Sequence, residues 1–244
     1  MKVIVIIPAA GLGTRMASSS ATAQGKTPSK QFLTIAGAPI LIHTLRKFVA
    51  CPEVTEICIA LRPQEAEGFS ADLSSYGIDP KRIQIVEGGE HRQQSVANAL
   101  RTVKAEADDI VLVHDAVRPF VERETIAGVI EAVKKHGAAI AGIPAVDTIK
   151  QVERTADGAL IRATIPREVL VQAQTPQGFR YGVLKKAFDE AEMEGFLGTD
   201  EASLLERAGQ DVYVVMGSAK NIKITTPADL ELAEFYLDAE KTGT

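Results

Sequence analysis

A chain of 244 residues, 45% hydrophobic and 24% charged, has enough apolar surface for one large α/β domain. Its formal net charge is −5 and it carries no block of Lys or Arg, which argues against a nucleic-acid polymer as the main ligand, since a phosphate backbone needs a basic surface. Cys51 and Cys58 lack a metal-type Cys-x-x-Cys spacing, and the apolar run behind Lys2 is too short for a signal peptide or a membrane span, so a cytoplasmic setting without membrane contact is expected.

In chain order, the run "KVIVIIP" opens the sequence as a strand and spills into the small-residue loop "PAAGLGTRM". The low-complexity piece "ASSSATAQG", Ala17 to Gly25, reads as a connecting loop ahead of "PSKQF". "EICIAL", "RIQIVEG", "DIVLVHD" and "AAIAGIP" are further continuous apolar runs of the kind buried on both faces of a sheet. Between them Val96, Leu100 and Val103 share one helical face, as do Ile126, Val129, Ile130 and Val133. Such alternation predicts an α/β fold, a twisted, mostly parallel Rossmann-like sheet flanked by helices. Ligands on these sheets lie at the carboxyl ends of the strands, where "PAAG", "EGG", "HDAVRP" and "IPAVDT" all fall.

After Asp147 the rhythm breaks. Two extended segments flank "ADG", a turn signal, so residues 147–175 are expected to project as a β-hairpin arm from a single domain spanning 1–244. The rhythm returns with a helix near Gly182 to Met193, another from about Asp200, a strand at "VYVV" and then "NIKIT". Thr226-Pro227 opens the last helix, with Asp229 placed to favour its dipole.

The glycine loop has two decoys. A dinucleotide fingerprint needs a third glycine where Met16 stands, and "SATAQGKT" has Ser20 at the first glycine of a Walker loop. What is left is a strand followed by Ala9, Ala10, Gly11, Gly13 and Arg15, with Lys30 further on. Small residues let backbone N–H groups approach an anion, and Arg15 and Lys30 would add positive charge around a triphosphate. The bland alternative is a tight βα turn with Arg15 in water.

Together "PAAGLGTRM", "PSKQF", "EGGEHRQQS", "HDAVRPF", "DTIK", "TPQGF", "TDEASLLE" and "NIKIT" resemble the 2-C-methyl-D-erythritol 4-phosphate cytidylyltransferase family of the non-mevalonate isoprenoid pathway, from Val3 to Leu237. The resemblance implies a nucleotidyltransferase that joins CTP to a sugar-alcohol phosphate by in-line attack, without a covalent enzyme intermediate. By similarity Arg15, Lys30 and Lys223 are the catalytic cations. Ala9, Ala10, Gly11 and Gly13 would carry the nucleotide, and Gly89, Glu90 and Ser95 would read the cytosine edge, capping of the following helix being the alternative for Glu90 and Ser95. Asp115 would lie near Mg²⁺ or the ribose and acceptor hydroxyls, with an Asp115–Arg118 structural pair as the alternative. The implied cofactor is Mg²⁺ held mainly by CTP phosphates, with no protein ligand set.

Arg118, Thr148, Arg167 and Thr175 would serve the acceptor. In the family, arms of two subunits clasp, so a homodimer is implied, with Thr148 and Arg167 reaching the partner's site. Arg92 would support its loop, His114 would be packed rather than act as a base, and Thr199, Asp200 and Glu201 would cap a helix. Three features depart from the family pattern: Glu90 and Pro166 stand where aspartate is usual, and the serine-rich loop is long. A ribitol 5-phosphate cytidylyltransferase is the nearest rival, against which "PAAG" and Lys150 speak. A non-catalytic nucleotide-binding module and a dehydrogenase are more distant ones.

Overall fold

The first apolar run forms β1 (Val3–Pro8), and its side chains divide cleanly between two cores. Val3, Val5 and Ile7 face one layer, while Ile4 and Ile6 face the other, so both sides of the strand are covered. The computed structural model of the chain describes residues 1–11 and 29–242. Gly13, Arg15 and the Ala17–Gly25 stretch fall outside the described residues.

A short ribbon, β2 (Thr34–Ile35) with β3 (Ala38–Pro39), leads into α1 (Ile40–Val49), and β4 (Glu56–Leu61) follows. Next come α2 (Pro63–Asp72), β5 (Ile83–Glu87), α3 (Arg92–Thr102), β6 (Ile110–Val113), α4 (Arg123–His136) and β7 (Ala138–Pro144). The arm is the antiparallel pair β8 (Ile149–Thr155) and β9 (Gly158–Ile165), closed at the "ADG" turn. Then follow β10 (Val171–Arg180), α5 (Tyr181–Met193), α6 (Glu201–Arg207), β11 (Tyr213–Met216) and α7 (Pro227–Thr242).

Seven strands form one sheet in the order β11-β7-β10-β6-β1-β4-β5. It is parallel except for β10, which runs antiparallel between β6 and β7. The sequence reading did not identify β10, because "TPQGF" carries Pro and Gly and no alternation. Its register against β7 shifts between Ala173 and Gln177, and the break accommodates Pro176, which has no N–H to donate. β5 also differs from expectation. It is the edge strand, and its residues are only half covered instead of buried on both faces.

One core packs Leu41, Leu45 and Phe48 of α1 and Ile126, Val129, Ile130 and Val133 of α4 on the sheet. The other packs Val96, Ala99 and Leu100 of α3 with Leu184 and Phe188 of α5. A third cluster, with Ile35, Val117, Phe120, Ile224 and Ala233, ties α7 to the end of the sheet. It matters for the site, because Ile224 is fully buried beside Lys223 and its N–H bonds the Val117 carbonyl at 2.9 Å. "NIKIT" is therefore an anchored loop. At the start of α7, the Asp229 carboxylate accepts the Thr225 and Thr226 N–H groups at 2.8 Å, an N-terminal clasp that offsets unpaired amides.

Candidate active site

Three strand ends meet. At the end of β1 the Ala9 N–H continues the ladder to the Ala60 carbonyl at 2.8 Å, and the buried Gln31 amide donates to the Ala9 carbonyl. That bond fixes the 3₁₀ turn Lys30–Phe32 against the strand end and so places Lys30. At the end of β5, a Cβ on Gly88 would lie 2.3 Å from the Cβ of Ala10, so the two loops touch at a spacing that only glycine allows.

The loop after Gly88 folds onto α3 through two side chains. The Ser95 hydroxyl accepts the Gly89 N–H at 3.0 Å and donates to the His91 carbonyl at 3.1 Å, and the Gln94 amide oxygen accepts the Glu90 N–H at 2.9 Å. The N-cap position is His91, and no side chain caps it. Ser95 and Glu90 are therefore not helix caps; Ser95 shapes the loop that presents Gly89 and Glu90.

Asp115, just beyond β6, is the electrostatic hub. Its Oδ1 accepts Arg92 Nε at 3.1 Å, and its Oδ2 faces Lys223 Nζ at 2.9 Å and Arg118 Nε at 3.3 Å. Burial alone would raise its carboxyl, but Arg92, Lys223 and Arg118 together hold it far below the usual carboxylate range. The Asp115–Arg118 pair thus exists, within a larger cluster. Arg118 is held at its other end by the Asn221 carbonyl, 2.6 Å away.

His114 is buried and packed edge-on against Phe48. Its Nε2 donates to the Arg118 carbonyl at 3.0 Å, which leaves Nδ1 to accept from the Thr175 hydroxyl at 3.0 Å. Thr175 in turn accepts the Asp115 N–H at 3.1 Å. The Thr175 hydroxyl, expected at the acceptor, is instead spent on positioning Asp115. Burial pushes the His114 imidazole down to about 4, so it is neutral at physiological pH and no acid or base for the reaction. Because its folded value lies below the unfolded 6.5, its contribution to stability is complete above about pH 6.5 and is lost as pH falls towards 4, about 3 kcal/mol in all. Urea unfolding from pH 7 to pH 4 should show this slope in the native chain and a flatter one in His114→Gln; equal slopes would acquit the histidine.

Ala9, Ala10, Gly11, Lys30, Gly89, Glu90, Ser95, Asp115 and Lys223 line one cleft of about 180 Å³. Gly13 and Arg15 lie outside the described residues. Arg118, Thr148, Arg167 and Thr175 are not among the lining residues. Arg118 sits behind Asp115, while Thr148 and Arg167 are exposed at the root of the arm, where Arg167 bonds the Val146 carbonyl at 3.0 Å. A larger hollow of about 580 Å³ opens between α1, the start of α4 and α7, where Pro119 and Val121 line it, but Lys30, Asp115 and Lys223 do not. Chemistry marks the smaller cleft.

Sequence reasoning missed Gln31 and Asn221, both buried. It also assigned Glu201 to a capping cluster. Asp200 does cap α6 in a capping box with Ser203, but Glu201 is buried against Arg92. The motifs "SKQF" and "NIK" flagged the neighbourhood, but no periodicity marks a polar side chain turned inward.

Among the described residues no group of three or more His, Cys, Asp or Glu side chains is arranged to hold a metal ion. Both oxygens of Asp115 already face cations. Asp115 and Glu90 are the carboxylates that line the cleft among the described residues.

A family model described as IspD, 2-C-methyl-D-erythritol 4-phosphate cytidylyltransferase, matches residues 3–239. The chain is 62% identical over 237 residues to the 2-C-methyl-D-erythritol 4-phosphate cytidylyltransferase of Acidobacterium capsulatum, covering 97% of this chain and 98% of that protein. The protein of the same name from Solibacter usitatus is 50% identical over 240 residues, with 98% and 97% covered. Among solved structures, the Francisella tularensis enzyme of that name superposes with a TM-score of 0.79 at 37% identity, over 96% of this chain and 99% of that one. The one from Thermus thermophilus gives 0.74 at 34% identity, over 97% and 98%.

Proposed function

This chain belongs to the 2-C-methyl-D-erythritol 4-phosphate cytidylyltransferase family, and from that premise we infer how its cleft works. The enzyme transfers CMP from CTP to 2-C-methyl-D-erythritol 4-phosphate, giving the CDP-alcohol and pyrophosphate; ribitol 5-phosphate is not the favoured acceptor. An acceptor phosphate oxygen attacks the α-phosphorus, the bond to the β-phosphate oxygen breaks, and its electron pair leaves on pyrophosphate. The attacking oxygen is already anionic at neutral pH, so no base is required. The protein's task is to hold two anions in line and neutralise the charge that moves.

We assign that task to Lys30 and Lys223, with Arg15 as the third cation. The observation that supports this most is that Lys30 and Lys223, from distant segments, line one cleft together with the small residues Ala9, Ala10 and Gly11. The α- and β-phosphates would lie along those backbone amides, and Gly89, Glu90 and the loop braced by Ser95 would face the base. Mg²⁺ would arrive with CTP, bound by phosphate oxygens and neutralising part of their charge. Asp115 keeps Lys223 and Arg118 in place.

The chain acts as one nucleotidyltransferase domain, 1–244, and residues 147–175 form an arm that joins two copies into a homodimer. Support comes from the apolar side chains that the arm and its root expose, Val152, Leu160, Ile161 and Val169 among them, a surface that asks for cover. Thr148 and Arg167 would then reach the partner's acceptor phosphate, where a guanidinium fork suits two oxygens. Two unpaired cysteines, Cys51 and Cys58, accord with a reducing cytoplasmic setting. Among the described residues no helix is long and apolar enough to cross a membrane.

Pyrophosphate release from CTP, measured with methylerythritol phosphate and with ribitol 5-phosphate in turn, tests the reaction. Turnover should be faster with the first, and faster turnover of the second would overturn the choice. In the same assay Arg167→Ala should raise the acceptor KM roughly ten- to a hundredfold, as loss of a charge-assisted phosphate contact implies, with the CTP KM little changed. Unchanged acceptor kinetics would remove the arm from the site.

A further inference from the structure

We infer that Glu201, buried behind the cleft on α6, is a positioning residue for Lys223, acting through Arg92 and Asp115. The inference rests on the catalytic reading of Lys223 and goes beyond it by assigning a residue that touches neither substrate. The four groups form a chain of alternating charge. Arg92 Nη1 lies 2.7 and 2.9 Å from the two Glu201 oxygens, Arg92 Nε lies 3.1 Å from Asp115 Oδ1, and Lys223 Nζ lies 2.9 Å from Asp115 Oδ2. The Glu201 side chain is 1% exposed, against 39% for Lys223, so the chain runs from the protein interior to the cleft wall.

Asp115 has one negative charge and three cationic neighbours. Arg118 has a second anchor in the Asn221 carbonyl. Arg92 has a second anchor in Glu201. Without that carboxylate the half-buried guanidinium would turn Nη1 as well as Nε towards Asp115, because a buried charged N–H without an acceptor is costly and Asp115 is the anion it already touches. Lys223 would then share Asp115 with a stronger competitor and lose its fixed place. With Glu201 present, Arg92 gives Asp115 only its Nε, and Oδ2 is left to Lys223 and Arg118.

Glu201 is itself rigidly set. The Asp200 carboxylate caps α6 through the Ser203 N–H at 3.0 Å, and Gln177 of β10 bridges Asp200 at 2.8 Å and the Ala202 N–H at 3.1 Å. The middle of the sheet thus dictates where the relay begins. Packing alone does not call for ions here, since well-fitted apolar groups serve stability as well as a buried ion pair or better.

The test is a double-mutant cycle on the full chain, with kcat, the CTP KM and thermal melting measured for Glu201→Gln, Glu201→Asp, Lys223→Ala and the Glu201→Gln, Lys223→Ala pair. Glu201→Gln should lower kcat by about ten- to a hundredfold, the order that a displacement of about 1 Å costs, while the CTP KM moves less than about threefold. Glu201→Asp should recover most of that loss. In the Lys223→Ala background the same change should cost less than about twofold, because the group it positions is gone. Multiplying effects, or a Glu201→Gln loss matched by the unfolded fraction, would overturn the relay alone. A fully active Lys223→Ala would instead overturn the catalytic reading of Lys223, and the relay with it. Arg92→Lys, which keeps the buried positive charge but loses the fork, carries the same cycle on a second variant with the same expectations.

Discussion

Lys30→Ala should lower turnover at least about a hundredfold, because a cation aimed at charge that develops in the transition state is typically worth about 10² to 10³ in rate. The fold should survive. Lys30 is the first residue of its short turn, and its neighbours do the packing: Gln31 is buried on the Ala9 carbonyl, and Phe32 meets Phe69 edge-on at 5.7 Å. Removing the lysine therefore takes no side chain from the core. Pyrophosphate release at saturating CTP and acceptor, beside a melting curve, separates the two effects. Near-normal turnover would refute the role of Lys30, and a collapsed melting temperature would show that the side chain holds structure instead.

Asp115→Asn has the second large effect, and it falls on both stability and activity. The substitution removes the carboxylate that Arg92, Arg118 and Lys223 share, leaving Arg92 with Glu201 and Arg118 with the neutral Asn221 carbonyl among the described residues. Breaking a buried ion cluster by removing one partner costs about 3–5 kcal/mol, because the remaining charges lose compensation. Lys223 would also lose its tether, so turnover should drop together with the unfolding midpoint. The pH dependence gives an independent check. The folded-state carboxyl of Asp115 lies far below its unfolded value, so the stability it contributes is fully present above about pH 4 and fades as pH falls through the folded value. The gap in unfolding free energy between native chain and variant should therefore be widest near neutrality and narrow in strong acid. A gap that stays constant into strong acid would mean that Asp115 acts by shape, not by charge.

Many of the folding signals that act over a few residues were visible in the chain, although β10, α1 and α2 were not among the elements they marked. Val3, Ile4, Val5, Ile6 and Ile7 form a continuous apolar run that suits a strand buried on both faces, and the structure divides them between two cores. The α4 stripe of Ile126, Val129, Ile130 and Val133 is buried as its spacing demands. "ADG" closes the β8–β9 hairpin, and Asp200 caps α6. Strand ends, helix faces, turns and caps are properties of a short window, and so are the small residues at Ala9, Ala10 and Gly11.

Tertiary structure alone decided the partners. That β10 enters antiparallel between β6 and β7 follows from which edges remain open once the parallel strands have paired, and no window of sequence contains that fact. The insertion of β10 carries Thr175 to Asp115 and Gln177 to Asp200. It also explains why Arg92 and Glu201, 109 residues apart, share an ion pair. A side chain's type and spacing record that it is polar and how its element is oriented, whereas its counter-charge is chosen by the order in which strands and helices pack. For this protein the sequence by itself determined most of the elements and the small-residue loops at the strand ends, and the packed sheet determined where β10 enters and which charges face one another around Asp115.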